Sequence, residues 1–174
     1  MSKFFSGLYV TYVVVILLVV TLFCGIAGIV HNSETPDITL IDGVEYHVYK
    51  HLRYCTVANC DPNIVDLEIP QKVGKFRVSE IDRYAFWNCT KLERVVIPEG
   101  ITEIPDYTFQ NCYKLKVVYL SRNIQTIGYN AFDGCYSLEE IHYAGSENDF
   151  REIDGLSSVL GEDLWVKIRF NSTP

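Results

Sequence analysis

The sequence predicts a mainly β solenoid: a short array of 23-residue units with short helical turns, closed by β caps and preceded by a transmembrane helix. Three observations carry this. Identical residue types return every 23 positions, as Ile81, Ile104 and Ile127, as Phe86, Phe109 and Phe132, and as Cys89, Cys112 and Cys135. Each unit opens with apolar-x-x-apolar-x-apolar, as in Leu92, Val95 and Ile97, then Leu115, Val118 and Leu120. Finally, residues 8–30 run for 23 positions without a charge.

That first element, "LYVTYVVVILLVVTLFCGIAGIV", would reach about 34 Å as a helix, enough for a bilayer core. Tyr9 and Tyr12 suit the interfacial belt near its start. Lys3 and the free amine precede it, and "HNSETPD" follows with acids but no Lys or Arg. This bias places the N-terminus in the cytoplasm and the rest outside. The alternative is a signal peptide cleaved near the small-x-small site Gly25-Ile26-Ala27, although the run is longer than a usual h-region. Either way the remainder crosses a membrane. Cys24 lacks the small residue expected just before a lipidated cysteine, and reads as a buried apolar side chain.

The expected organisation is 1–30 anchor or signal, 31–37 linker, 38–63 N-terminal β cap, 64–153 repeat array and 154–174 C-terminal cap. In 38–58, Val44, Tyr46, Val48, Leu52 and Tyr54 are apolar at even positions. Period two predicts a strand or hairpin, opened by the turn signal Asp42-Gly43. The array begins with "IVDLEIP" (Ile64, Leu67, Ile69), which carries five extra residues before the next columns. Val78, Ile101 and Ile124 form a further column. One unit cannot bury its own faces, and roughly three or more are needed. About four strand-bearing units are near that minimum, so caps are required. The step fails after Ile153, and alternating "LWVKIRF" (164–170) is expected to close the last unit.

These residues resemble the BspA-type leucine-rich repeat family. "VSEIDRYAFWNCTKLERVVIPEGITEI" follows that family's unit almost throughout, "IHYAGSENDFREI" looks like its array terminus, and "DGVEYHVY" looks like its opening strand. Thr108 stands where the unit has Ala, and Ser121 where it has Pro. The resemblance covers roughly 40–155. It implies a leucine-rich repeat solenoid on a bacterial or protozoan surface, adhering to host matrix or other cells by binding protein, without catalysis or cofactor. Most family members are far longer than this chain.

Composition narrows the chemistry. A formal charge of −7 gives no basic footprint for nucleic acid, and six cysteines in 174 residues are too sparse for a disulfide-dense scaffold. No Gly-rich phosphate loop, G-x-S-x-G or H-E-x-x-H occurs, so no catalytic set emerges. Cys89, Cys112 and Cys135, each three residues after its Phe, read as a buried structural ladder, since free Cys behaves as a small hydrophobe. A disulfide between adjacent rungs is the alternative. His47, His51, Cys55 and Cys60 spell H-x3-H-x3-C-x4-C, with zinc-type ligands. On a strand, however, His47 and Cys55 would lie about 26 Å apart unless the chain turns. A Cys55–Cys60 disulfide across a turn at Ala58-Asn59 is the stronger expectation, and no metal is expected. Asn88-Cys89-Thr90 and Asn171-Ser172-Thr173 match the glycosylation sequon, which matters only in a eukaryotic secretory pathway.

The expected working surface is the outward face of the strands. Adjacent units should put Arg94 beside Asp66, and Lys116 between Glu93 and Glu139. Val96, Val117, Tyr119 and His142 should leave an apolar-aromatic patch in acidic surroundings. The predicted binding residues are therefore Val96, Val117, Tyr119, His142, Arg94 and Lys116, for a protein partner such as host matrix or a cell-surface protein. The alternative is a scaffolding envelope protein acting by self-association.

Overall fold

A computed structural model of the chain describes residues 35–156 and 168–174. The uncharged run at 8–30 and the start of "LWVKIRF" lie outside these. No helix among the described residues is long and apolar enough to cross a membrane.

Strands β1 (Asp37–Ile41) and β2 (Val44–Tyr49) pair antiparallel from Asp37↔Val48 to Ile41↔Val44. Asp42 and Gly43 between them have φ of 49° and 81°. Positive φ at both positions is the two-residue turn that matches strand twist, and glycine adopts it without steric cost. The alternation of β2 buries Val44, Tyr46 and Val48. It stops where the strand stops: Leu52, expected to continue the series, sits in the loop before β3 (Tyr54–Cys60) and is 65% exposed.

The inserted residues of the first unit form a hairpin of β5 (Lys72–Val73) and β6 (Phe76–Ile81), after β4 (Asp66–Glu68). β6 pairs in parallel with β3, bringing Val57 beside Ile81. The five-stranded sheet β1-β2-β3-β6-β5 is therefore shared by the expected cap and the first repeat. The five extra residues make a connection that joins cap to array.

The repeat openings build a second sheet, parallel throughout. β4 is followed by β7 (Arg94–Val96), β9 (Val117–Leu120), β11 (Glu140–Tyr143) and β12 (Ile168–Phe170), adjacent in that order. Opposite them, β8 (Glu103–Ile104) and β10 (Thr126–Ile127) pair in parallel. Between the faces lie the predicted columns. Phe86, Phe109 and Phe132 stack at 4.9 and 5.3 Å with ring planes within 6°. Phe109 is fully buried, and burial of such a side chain contributes about 1.5–3 kcal/mol.

Short helical turns were expected between the faces; tight turns with left-handed residues occupy those positions. Tyr84, Tyr107 and Asn130 have φ of 63°, 59° and 53°, while Asn88, Asn111 and Gly134 have 58°, 63° and 76°. A continuing helix would direct its N–H groups back onto its own chain. These turns send alternate ones along the stack, while the N–H groups between them close back onto their own chain, as Trp87 N–H does to Tyr84 O (2.9 Å) and Cys89 N–H to Phe86 O (3.1 Å). Phe86 N–H donates to Thr108 O (3.0 Å), Asn88 N–H to Gln110 O (3.0 Å) and Phe109 N–H to Ala131 O (2.8 Å). Thr108 is tolerated in its buried place because its hydroxyl donates to Pro105 O at 2.7 Å.

The array ends in α1 (Glu147–Arg151), opened by a reciprocal cap between Ser146 and Asp149. The Ser146 hydroxyl holds the Asp149 carboxyl below its usual range. Phe150 seals the last rung against Tyr143 and Phe170.

Candidate functional site

In a parallel sheet, residues in register form rows across the strands, and alternate side chains share a face. Leu67, Val95, Val118, Ile141 and Ile168 turn inward and are buried. The outward rows are Asp66, Arg94, Val117 and Glu140, then Glu68, Val96, Tyr119, His142 and Arg169. Five of the six predicted binding residues thus fall in two adjacent rows. Lys116 lies just before β9.

These side chains form one connected surface. Arg94 bonds Asp66 at 2.8 Å, which holds its pKa above the usual guanidinium value. The same guanidinium lies 5.1 Å from the centre of the Tyr119 ring, a cation–π distance. Tyr119 stacks on His142 at 4.5 Å. His142 meets Ser172 Oγ at 2.6 Å through Nδ1 and Glu140 at 2.8 Å through Nε2. Arg169, on the strand that "LWVKIRF" supplies, reaches Glu140 at 3.2 Å. The bonds from His142 and Arg169 hold the Glu140 carboxyl below its usual range. Lys116 closes on Glu93 at 2.7 Å, so the ion pair forms on that side and not with Glu139.

One member of the patch lies lower than the others. Val96 is only 8% exposed. It lines a groove of about 240 Å³ together with Ile69, Pro98, Tyr119 and Ser172. Its side chain supports the surface and does not project from it.

Hydroxyl, imidazole and carboxylate in series have the composition of a general-base relay. Here the Ser172 amide donates to Tyr143 O at 3.1 Å, so the N–H beside the hydroxyl is not free to hold an oxyanion. Glu140 also divides its carboxylate between His142 and Arg169. The string ties the exit of β12 to β11.

The cysteines are arranged differently from the expectation. Cys60 is joined to Cys89, and Cys55 is free. No turn forms at Ala58-Asn59, because β3 extends through both to Cys60. Five extended residues separate Cys55 from Cys60 by about 16 Å. Cys89 therefore leaves the free ladder. Cys112 and Cys135 keep it, each donating its thiol to the Phe carbonyl of the preceding unit at 3.1 Å. Cys89 is the first rung, and the end of β3 lies against it. Contact with Cys112, followed by burial, pushes the Cys135 thiol up, and burial raises Cys55. Both stay protonated, and the thiol is the unreactive form.

The His/Cys series is not one site. Cys55 pairs with Val48 across the hairpin, so its neighbour His47 faces the other way. His47 meets Glu45 at 2.9 Å and Asp82 at 3.8 Å. Of the two sequons, Asn88 is a left-handed turn residue before a bonded cysteine, and Asn171 is left-handed too.

Sequence reading missed an outward aromatic series on the turns. Tyr84 and Tyr107 stack at 5.1 Å, Tyr129 meets Tyr107 edge-on at 5.9 Å, and Tyr113 stacks on Tyr136 at 6.0 Å. Two of these pairs keep the 23-residue step, which was the available signal.

The family model for the BspA type leucine rich repeat region matches residues 49–153 in six copies. Among solved structures, a leucine-rich repeat protein from Bacteroides capillosus has a TM-score of 0.61 at 20% identity, covering 78% of this chain and 99% of its own. The T. pallidum leucine-rich repeat protein has a TM-score of 0.54 at 22% identity, covering 62% of this chain. The match spans 53% of that second protein, about half its length. At these identities the likeness is one of fold. No curated protein gives a significant match. With its repeat step, its two-sided stack and its family model in agreement, the chain belongs to the BspA-type leucine-rich repeat family.

Proposed function

We infer that this chain is a non-enzymatic, surface-exposed recognition module that binds a protein partner through the outward face of its long sheet, and that residues 8–30 anchor it in a membrane with the repeats outside. Leucine-rich repeat arrays are protein-interaction modules, and proteins of this family are typically found at cell surfaces. The observation that carries the site is the Arg94–Tyr119–His142 stack over the groove. Tyr and Arg dominate binding energy at protein interfaces, because they offer large contact area with a polar handle. Here intramolecular bonds hold both in place beforehand, which lowers the ordering cost of binding. The anchor rests on the length and lack of charge of residues 8–30 and on the acids that follow. Host matrix or cell-surface protein is the partner class this topology presents to the module.

The test is a binding screen of the full chain against purified matrix and cell-surface proteins, repeated with Tyr119→Ala and Arg94→Ala. Each change should weaken a genuine hit at least about tenfold, a loss of ~1.4 kcal/mol or more. Lys91→Ala, away from the sheet face, should not. Equal affinity for all of these would place the site elsewhere. Val96→Glu is unsuitable because it would bury a charge.

A further inference from the structure

A β-sheet edge presents unpaired amide and carbonyl groups, and proteins usually blunt such edges with short strands, charges, proline or bulges. The edges in this fold differ. The long sheet ends on β4 and β12, each of three residues, with Glu68 and Pro70 at one end and Arg169 at the other. The shared sheet ends on one side with β5, two residues long, and with Lys72 and Lys75 beside it. Its other side is β1, "DITLI", where Pro36 and Asp37 stand at the start and none of these devices occurs between Ile38 and Ile41. Its pairing with β2 is continuous over five residues, without a bulge. Ile38 is 67% exposed and Leu40 is 71% exposed, on the same face.

The turn fixes which main-chain groups are open. In a hairpin closed by two residues, the flanking pair Ile41 and Val44 exchanges hydrogen bonds, and bonded pairs then alternate along the strands. Thr39 and Asp37 bond inward, so Ile38 and Leu40 turn their amides and carbonyls to the side on which β1 has no partner strand among the described residues. The strand is also self-complementary. A two-fold axis through Thr39 sets Ile38 of one copy opposite Leu40 of the other, and Leu40 opposite Ile38. Both pairs are apolar, and both consist of residues whose main-chain groups are open. The end charge does not obstruct this, because Asp37 is already paired with Lys50.

We propose that β1 is the self-association edge of this protein, where a second copy adds its own β1 antiparallel about a two-fold axis at Thr39. The contact is isologous: one patch serves both copies, and the merged sheet then ends on the short, lysine-flanked β5 of each copy. The two Ile38–Leu40 pairs carry the main-chain bonds, and the Thr39–Thr39 pair is non-bonded, with Cα atoms about 4.5 Å apart. This surface is separate from the outward face of the long sheet, so pairing and partner binding can coexist.

The test uses the full chain in mild detergent, on a Cys24→Ser background, with cysteine placed singly and mild oxidation read on a non-reducing gel. Thr39→Cys should give a band of doubled mass. Leu52→Cys, also exposed but off the edge, should give none. A mixture of Ile38→Cys and Leu40→Cys chains should cross-link, while neither alone should, which reads the register. Adding Ile38→Lys with Leu40→Lys to Thr39→Cys should abolish the band while leaving the circular dichroism unchanged, since both side chains are exposed. The proposal is overturned if Thr39→Cys cross-links no more than Leu52→Cys, as it would if another protein or the chain's own preceding segment covered the edge. It is also overturned if the paired lysines leave the band intact.

Discussion

Phe109 is the middle rung of the buried aromatic column, and replacing it tests whether the solenoid is held together rung by rung. Its ring is fully buried and lies between Phe86 at 4.9 Å and Phe132 at 5.3 Å, nearly parallel to both. Phe109→Ala removes about 3–5 kcal/mol through lost burial and an unfilled cavity. A domain of this size has about 5–15 kcal/mol in total, so that variant can fall below the folding threshold. Phe109→Leu is the sharper probe. It keeps most of the apolar volume but loses two ring contacts, each contributing about 0.5–1.5 kcal/mol beyond burial. Phe132→Leu loses only one ring contact. The expected losses are therefore about 1–3 kcal/mol at Phe109 and about half that at Phe132. Urea unfolding followed by far-ultraviolet circular dichroism measures both. The double variant Phe86→Leu/Phe109→Leu should show a coupling of about 0.5–1.5 kcal/mol. Equal losses at Phe109 and Phe132, or a coupling near zero, would refute the reasoning. The column would then be three independent burials.

Other outcomes follow from the same contacts. Peptide mapping without reduction should recover a Cys60–Cys89 link and no Cys55–Cys60 link, and Cys60→Ser should cost about 2–4 kcal/mol by freeing the unfolded chain across 29 residues of separation. Lys116 bonding lowers Glu93, His142 bonding lowers Glu140 and Ser146 bonding lowers Asp149. A carboxylate with a lowered folded pKa contributes stability above its unfolded value, about 4, and loses it as pH falls through the folded value. Tm should therefore drop on acidification below about pH 4, and Glu93→Gln should flatten that drop. Glu80 has the opposite sign, since burial, Asp82 and Glu103 raise its pKa. Its charge opposes folding once ionised, so Glu80→Gln should raise Tm at pH 7 and leave it unchanged at pH 3.

The 23-residue step, read from Ile81, Phe86 and their successors alone, defined the stack, its inward columns and its outward rows. In a solenoid each unit meets mainly its neighbours, so local spacing decides most contacts. The Glu93–Lys116 pair is a direct consequence of that step, and the Asp66–Arg94 pair follows from the same strand pattern once the five inserted residues are counted. The Asp42-Gly43 hairpin was equally local, because φ > 0 at two adjacent positions restricts the residues that fit.

Tertiary structure decided what the step does not reach. Cys60 lies outside the periodic columns, and only the parallel pairing of β3 with β6 brings the end of the cap against the first rung at Cys89. Val96 has the sequence position of an exposed residue, yet neighbouring strands enclose it in the groove. The left-handed tyrosines and asparagines sit in turns whose alternate amides, those of Tyr107, Asn88 and Asn111 among them, donate to the next unit, a demand set by the stack and not by residue propensity. Periodicity specifies contacts between like units, whereas contacts between unlike parts depend on strand registers that close only when the whole chain is assembled.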